Sequence, residues 1–402
     1  MNYQLSRRRF LQASSTIALS QIFFGCSNSE TIFQVLFLEN SIPPQLIKDF
    51  RVINQKGKVN FKPQTQIAQI FELLFNLQQD KESNFKTKNL IDKIFNKSVV
   101  SPKLTTLGDA WLSTAIKDNL VRPLSVNNLK NWRKLPSSWQ NLVRRNGQGD
   151  LAANGEVYGA PYRWGSTVIA YRSDKLDKLN LVLTDWEDLW KSELRDRISL
   201  LDSPREVIGL TLKKLGQSYN TNNLDSVPNL TAELLALQQQ AKLYSSRNYL
   251  EPLILGDTWA AVAWSTDILP VLKRYPEIKL VIPQSGASLW ADLWVEPQLP
   301  SETSAGNRPN SPTIIEEWID YCWETQAAKQ ISLFTAGISP ILSALKPEEI
   351  PADLQNNNLI NSKILNSDRS EFLLPLATET EQQYRDLWLE IRSSEFGVRS
   401  SE

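Results

Sequence analysis

The chemistry open to this sequence rests on its aromatic and acidic side chains. The 402 residues include thirteen tryptophans, which is a surplus. The segment 288–295 alternates as a strand, so Trp290 and Asp292 point to the same face and place a carboxylate beside an aromatic ring. Such residues could bind a solute. A pair such as Asp292 and Glu206 could instead act as acid and base in a hydrolase.

The composition excludes several other kinds of chemistry. The chain has no histidine, which removes Ser-His-Asp and Cys-His catalysis and histidine metal sites. Its two cysteines, Cys26 and Cys322, form neither a CxxC pair nor a four-thiolate site, and Cys322 is expected to be a small buried residue. With 44 basic and 44 acidic residues, nucleic acid is not an expected partner. We also find no GxSxG, HExxH or Walker motif, so the sequence predicts no enzyme, no cofactor and no metal.

The first 25 residues are predicted to be an export signal. Ser6-Arg7-Arg8-Arg9-Phe10-Leu11 matches the twin-arginine pattern, and residues 13–24 form an apolar stretch too short to span a bilayer. Gly25-Cys26 then resembles a lipobox, which predicts lipidation of Cys26. Simple cleavage, an uncleaved anchor or an ordinary buried helix are the alternatives. Removal of residues 1–25 leaves 41 basic and 44 acidic side chains, and a net charge of −3 is compatible with cationic solutes.

The remaining chain alternates predicted strands and helices, which indicates α/β architecture. The stretch 157–171 is an extended run of aromatic and β-branched residues, long enough to run between two lobes. Loops are predicted at 78–98 and 297–312. The predicted strands are 31–38, 104–109, 198–201, 259–264, 279–282 and 288–295, and the predicted helices are 44–50, 67–77, 110–116, 186–190, 205–215, 267–273, 314–323 and 327–334.

Four segments carry a resemblance to a known family. They are 156–167, with its Pro-Tyr-x-Trp-Gly pattern; 185–216, with a tryptophan-rich helix and an acidic turn; 256–292, with a Trp-x-Asp pattern; and 328–340. In order and spacing they resemble the periplasmic solute-binding proteins of ABC transporters, in the spermidine/putrescine-binding branch. The match extends more weakly over 31–121.

The resemblance implies a type II periplasmic binding protein fold, with two lobes that each have a central sheet flanked by helices and are joined by extended hinge crossings. The implied divisions are a signal peptide at 1–25, lobe 1 at 26–165 and 287–342, and lobe 2 at 166–286 and 343–402, the last segment being C-terminal helices. It also implies a periplasmic monomer that captures a small cationic amine and delivers it to ABC permease subunits, held to a membrane through Cys26.

The resemblance also implies the ligand site. Trp264 and Trp290 correspond to aromatic residues that enclose the ligand, and Asp292 and Glu206 to carboxylates that bind its amine groups. Trp164, with Tyr162 beside it, lies on the matched hinge motif. Asp109 and Trp111 follow a strand end where the family places a Ser/Thr and a Tyr. Four of these residues have a structural alternative: core packing for Trp264 and Trp290, a surface position for Asp292, and a helix-capping role for Glu206.

The sequence also departs from the family. Where the family has an aromatic, a Thr, a Glu and a Tyr after its first strand, this chain has Leu38-Glu39-Asn40-Ser41. A second carboxylate of the acidic turn is replaced by Ser203, and the family's C-terminal glutamine has no counterpart near Phe372. Glu39 or Asp109 could compensate for the missing acids. The ligand could therefore be spermidine-like, a diamine, another cationic amine or an unrelated small solute, and an exported interaction protein that lost ligand binding is a further alternative.

Overall fold

The computed structural model describes residues 32–54, 57–79, 101–299, 312–355, 357–361, 364 and 368–399. These described residues belong to one compact unit. The strands are β1 (Ile32–Leu38), β2 (Lys58–Gln64), β3 (Pro102–Gly108), β4 (Val121–Arg122), β5 (Arg144–Arg145), β6 (Glu156–Val157), β7 (Ala160–Arg172), β8 (Ile198–Leu200), β9 (Ala241–Tyr244), β10 (Ala260–Trp264), β11 (Ile278–Val281), β12 (Ser288–Pro297) and β13 (Glu371–Phe372). The helices are α1 (Pro44–Ile53), α2 (Ile67–Gln79), α3 (Asp109–Lys117), α4 (Ser137–Val143), α5 (Ser173–Leu176), α6 (Pro204–Lys214), α7 (Leu230–Gln240), α8 (Glu251–Leu255), α9 (Ser265–Leu272), α10 (Ile314–Cys322), α11 (Thr325–Phe334), α12 (Ala352–Gln355), α13 (Asn358–Asn361) and α14 (Thr378–Arg399).

The larger sheet connects eleven strands. Its order is β2-β1-β3-β12-β7-β10-β8-β9, while β4 and β13 also pair with β12, and β11 pairs with β7. The pairs β1–β2, β1–β3, β8–β10 and β8–β9 are parallel, whereas β12 and β7 run antiparallel to their neighbours in that order. Parallel pairs need crossover helices, which is why helices alternate with these strands.

Strand β7 belongs to both halves of this sheet. Its first half pairs with β12 between 160 and 166, and its second half pairs with β10 between 167 and 171. At 13 residues it is more than twice the usual strand length, and residues 160–170 are buried. One continuous strand therefore links the strand group around β3 and β12 to the group around β8 and β10.

Two helices begin where strands end and bring acidic residues with them. Helix α3 starts at Asp109, directly after β3 ends at Gly108. Helix α6 starts at Pro204, four residues after β8, and has Glu206 in its first turn. Proline fits the first helical turn because the backbone N–H groups there have no partner within the helix, so the N–H that proline lacks costs no hydrogen bond. Acidic side chains are favoured in the same turn because the helix dipole is positive at that end. Both carboxylates thus lie at carboxyl ends of strands, where α/β sheets bind ligands.

Most predicted elements are confirmed within a few residues. The predicted segment 186–190 differs, because it forms a 3₁₀ turn rather than an α-helix. The backbone N–H groups of Thr184 and Asp185 donate to the Asp188 carboxylate at 2.6 and 3.0 Å. These bonds tie the residues before the segment to its first turn. The export segment and most of the predicted loops at 78–98 and 297–312 lie outside the described residues. Among the described helices, none has both the length and the apolar character to cross a bilayer.

Candidate functional site

A cavity of about 2110 Å³ opens at the carboxyl ends of β1 and β3 and is also lined by parts of α6, β10, α9, β12 and α11. It is larger than a typical small-molecule site, so a small solute would share it with water. Among the described residues, seven of the eight predicted ligand-binding residues line it. They are Glu39, Asp109, Trp111, Glu206, Trp264, Trp290 and Asp292.

The eighth residue, Trp164, lies elsewhere. It is 1% exposed and packs against Trp139, with ring centroids 6.0 Å apart. Side chains alternate along β7, so Arg163 lines the cavity and Trp164 points to the other face. Tyr162 is also buried, and its hydroxyl donates to Ser41 Oγ at 2.8 Å. The structure therefore does not bring Trp164 or Tyr162 to the cavity.

Asp292 forms a buried ion pair with Arg163. The two residues are directly opposite each other on β12 and β7, and Arg163 Nε donates to Asp292 Oδ2 at 2.6 Å. Their side chains are only 3% and 6% exposed. Burial raises the pKa of Asp292, and the adjacent guanidinium opposes that rise. The carboxylate that the sequence assigns to an amine of the ligand is thus already compensated by a cation of the protein.

Trp290 is the aromatic wall next to this pair. The guanidinium carbon of Arg163 lies 5.8 Å from the centroid of the Trp290 ring, within the range of a cation–π contact. The ring also lies over Gly165, where a Cβ atom would collide with Trp290 Cζ2. A glycine at position 165 therefore makes room for the indole, which explains why the strand carries glycine there.

Glu206 and Trp264 form a second part of the cavity wall. Glu206 accepts hydrogen bonds from Thr167 Oγ1 at 3.0 Å and from Ser288 Oγ at 2.6 Å, and its side chain is also hydrogen-bonded to Trp264. It is 5% exposed, and burial raises its pKa. Trp264 packs edge-on against Tyr249, with centroids 5.9 Å apart. Neutral donors hold this carboxylate in place.

Asp109 is a buried acid of the cavity whose pKa lies near neutral pH. It is 5% exposed, and its Oδ1 accepts a hydrogen bond from the backbone N–H of Ala291 at 2.9 Å. Burial raises its pKa to about 7. The positive charge of Arg145 acts against this rise, and the negative charge of Asp292 adds to it. A cationic ligand group nearby would favour the ionised form.

Trp111 and Glu39 lie on the more open side of the cavity. Trp111 is 39% exposed and packs on Phe71, with centroids 4.7 Å apart. Glu39 is exposed, directly after β1, and its backbone N–H donates to the carbonyl of Gln64 at 2.8 Å. An exposed indole and an exposed carboxylate are thus both available to a solute.

Sequence reasoning missed two groups in this region. Arg163 occupies the variable position of the Pro-Tyr-x-Trp-Gly pattern, and its signal was that it is the one charged residue in the stretch 157–171. Asp267 also lines the cavity and accepts a hydrogen bond from the Tyr249 hydroxyl at 2.6 Å. The departures Leu38 and Ser203 both line the cavity as well. Among the described residues, no group of three or more His, Cys, Asp or Glu side chains could hold a metal ion.

The large cleft at the strand ends of a mixed α/β sheet is the place where proteins of this architecture bind ligands. The sequence pattern of the bacterial extracellular solute-binding protein family matches residues 99–363. The chain belongs to this family.

Curated relatives and solved structures agree with this assignment. The chain is 23% identical over 339 residues to a spermidine/putrescine-binding periplasmic protein of Salmonella typhimurium, covering 84% of this chain and 85% of the relative. It is 24% identical to a putrescine/cadaverine-binding protein of Pseudomonas aeruginosa, over 59% of this chain and 67% of the relative. A spermidine/putrescine ABC transporter substrate-binding protein from Streptococcus pneumoniae shares the fold, with a TM-score of 0.71, 18% identity, and coverage of 90% and 98%. The predicted periplasmic binding protein fold is confirmed.

Proposed function

We propose that the protein is the substrate-binding component of an ABC transporter and that it captures a small organic amine of the polyamine type in the cavity. The observation that carries this proposal is the convergence of acidic and aromatic side chains from distant parts of the chain on one cavity. Within the described ranges, eight carboxylate side chains and six cationic ones line the cavity. That excess of acid favours a positively charged solute.

The arrangement suits an amine with an apolar body. A polyamine is a chain of methylenes between ammonium groups, and the faces of Trp111, Trp264 and Trp290 offer apolar surface that also attracts cations. Asp109 and Glu206 offer buried carboxylates, and Glu39 offers an exposed one. The named ligands of the relatives, spermidine, putrescine and cadaverine, are all of this chemical type.

The same proposal includes a closing motion of two lobes. Lobe 1 consists of residues 26–165 and 287–342, and lobe 2 of residues 166–286 and 343–402. The pairing of β7 with both β12 and β10 supports a hinge near residue 166. The protein acts as a monomer that closes on the amine, delivers it to the permease and performs no covalent chemistry on it.

Intrinsic tryptophan fluorescence tests the proposed function, because three tryptophans line the cavity. The chain from residue 27 onward is titrated with putrescine, cadaverine, spermidine and spermine, with glucose and glutamine as controls. A saturable change with at least one amine and none with the controls is expected. A protein that is folded by circular dichroism and responds to no amine would exclude binding of this class.

We also propose export by the twin-arginine route and lipid attachment at Cys26, on the sequence of residues 6–26. Replacement of Arg7 and Arg8 by lysine should retain the protein in the cytoplasm, and Cys26→Ala should release it from the membrane fraction. Mass spectrometry of the mature N-terminus separates a lipidated Cys26 from a simply cleaved chain. An unmodified N-terminus at residue 26 or beyond would contradict lipidation.

A further inference from the structure

The ion pair between Arg163 and Asp292 places a protein cation inside the cavity that is proposed to bind a cation. Arg163 contacts both the carboxylate of Asp292 and the face of Trp290. Both are groups to which an ammonium of the ligand would otherwise bind. A second ammonium at this end of the cavity would have to compete with the guanidinium for both groups.

Arg163 is held firmly in this position. Its Nη1 donates to the carbonyl of Thr335 at 3.3 Å, and its aliphatic stem passes over Gly337, where a Cβ atom would lie 2.9 Å from Arg163 Cδ. The guanidinium is therefore fixed by β12 on one side and by the segment after α11 on the other. Displacing it would cost both hydrogen bonds and leave a buried charge unpaired.

One side of the guanidinium remains open to the cavity. Nε and Nη1 form the two bonds described above, and Arg163 Nη2 donates to no other residue in the described ranges. Arg163 lines the cavity, and a guanidinium N–H forms a charge-assisted hydrogen bond with a carboxylate. The free donor is thus suited to an anionic group of the solute.

The groups suited to an ammonium lie close by. Gly108 and Arg163 are both directly opposite Asp292, on the two strands that flank β12, so their backbones are about 10 Å apart by strand spacing. Asp109 follows Gly108 and contacts the neighbouring Ala291 backbone, and Trp111 lines the cavity on the same helix. A solute that places a carboxylate at Arg163 and an ammonium at Asp109 would therefore need to reach across only these three neighbouring strands, which suits a short carbon chain.

We infer that the solute carries a carboxylate as well as an amine, so that its class is a short amino acid with the amine at the far end of the chain rather than a diamine. This inference rests on the proposed function, because it assigns an amine to the same cavity. The inference differs from the proposed function in one group of the solute. The end that binds at Arg163 carries a carboxylate instead of a second ammonium.

The test uses two matched pairs of probes: γ-aminobutyrate against putrescine, and 5-aminovalerate against cadaverine. Calorimetric titration is expected to show at least tenfold tighter binding of each amino acid than of its diamine partner. In Arg163→Gln, binding of the amino acids should fall at least tenfold, while binding of the diamines should hold or improve because Asp292 is released. Arg122→Gln is the control, since it breaks a 2.7 Å ion pair with Glu296 that does not line the cavity.

The outcomes separate the two ideas. Tighter binding of diamines, with no larger effect from Arg163→Gln than from Arg122→Gln, would overturn this inference and leave the proposed function standing. Binding of amino acids alone would support the inference and replace the polyamine ligand. Binding of none of the four by the folded wild-type protein would overturn both. If Arg163→Gln does not fold, the wild type alone tests the inference: tighter binding of the amino acids than of the diamines supports it, and the reverse order overturns it.

Discussion

The two carboxylates that the sequence assigned to the ligand are held by different kinds of partner. Asp292 faces a guanidinium at 2.6 Å, which can only donate hydrogen bonds and always carries a charge. Glu206 faces two hydroxyl groups, Thr167 at 3.0 Å and Ser288 at 2.6 Å, which can donate or accept and carry no charge. The first wall of the cavity is therefore a fixed ion pair. In the second wall, the hydrogen-bond partners of Glu206 carry no charge to compensate that of its carboxylate. Glu206 is therefore the better acceptor for a ligand cation.

The strongest test of this difference is Asp292→Asn. The amide keeps the shape and one acceptor of the carboxylate but removes the charge that offsets Arg163. A buried cation without its partner destabilises a fold strongly, so we expect a loss of about 3 kcal/mol in the free energy of unfolding. Urea denaturation of the wild type and the variant measures it. A loss below about 1 kcal/mol would mean that the pair is solvated and that Arg163 is free to move.

A second test concerns the pH dependence set by Asp109. Its folded pKa, about 7, lies above the ordinary value of 3.8, so between pH 5 and pH 7 the folded state binds a proton that the unfolded state has released. The free energy of unfolding should therefore fall as the pH rises through this range, by about 2 kcal/mol between pH 5 and pH 7.5 from this group alone.

Asp109→Asn removes this titration and serves as the comparison. The variant should match the wild type more closely at pH 5 and exceed it in stability at pH 7.5, as measured by urea denaturation at both values. An identical pH slope in the two proteins would show that Asp109 is ionised throughout.

Because a ligand ammonium beside Asp109 stabilises its ionised form, amine binding should also release a proton near pH 6.5 and make the calorimetric heat depend on the buffer.

The fold was predictable because its signals are local and repeated. Strand and helix periodicity, the Pro-Tyr-x-Trp-Gly pattern and the Trp-x-Asp pattern each lie within a short segment, and the helix that starts at Asp109 follows directly from the strand before it. Seven of the eight predicted site residues line the cavity for the same reason. The motifs fix where each side chain lies along its own strand or helix.

What the sequence could not provide was the pairing across strands and the choice of face on β7. Arg163 and Asp292 are 129 positions apart and meet only because β7 and β12 pair in one particular register. Residues 160–170 are buried on both faces, so no alternation of apolar and polar residues distinguished the face of Arg163 from that of Trp164. Trp164 was therefore named as a candidate on its motif alone, and the partner of Asp292 was missed.

Glu206→Gln is the closest counterpart of Asp292→Asn and is expected to have the smallest effect on the free energy of unfolding. The hydroxyl groups of Thr167 and Ser288 can rotate, so one can accept from the new amide while the other still donates, and no charge is left without a partner. We expect a change of about 1 kcal/mol or less in the free energy of unfolding, because one hydrogen bond is rearranged and none is lost outright. Binding of an amine should nevertheless weaken, since the variant loses the carboxylate that accepts the cation. A stability loss as large as that of Asp292→Asn would show that a charged partner holds Glu206 as well, and the two walls would then be alike.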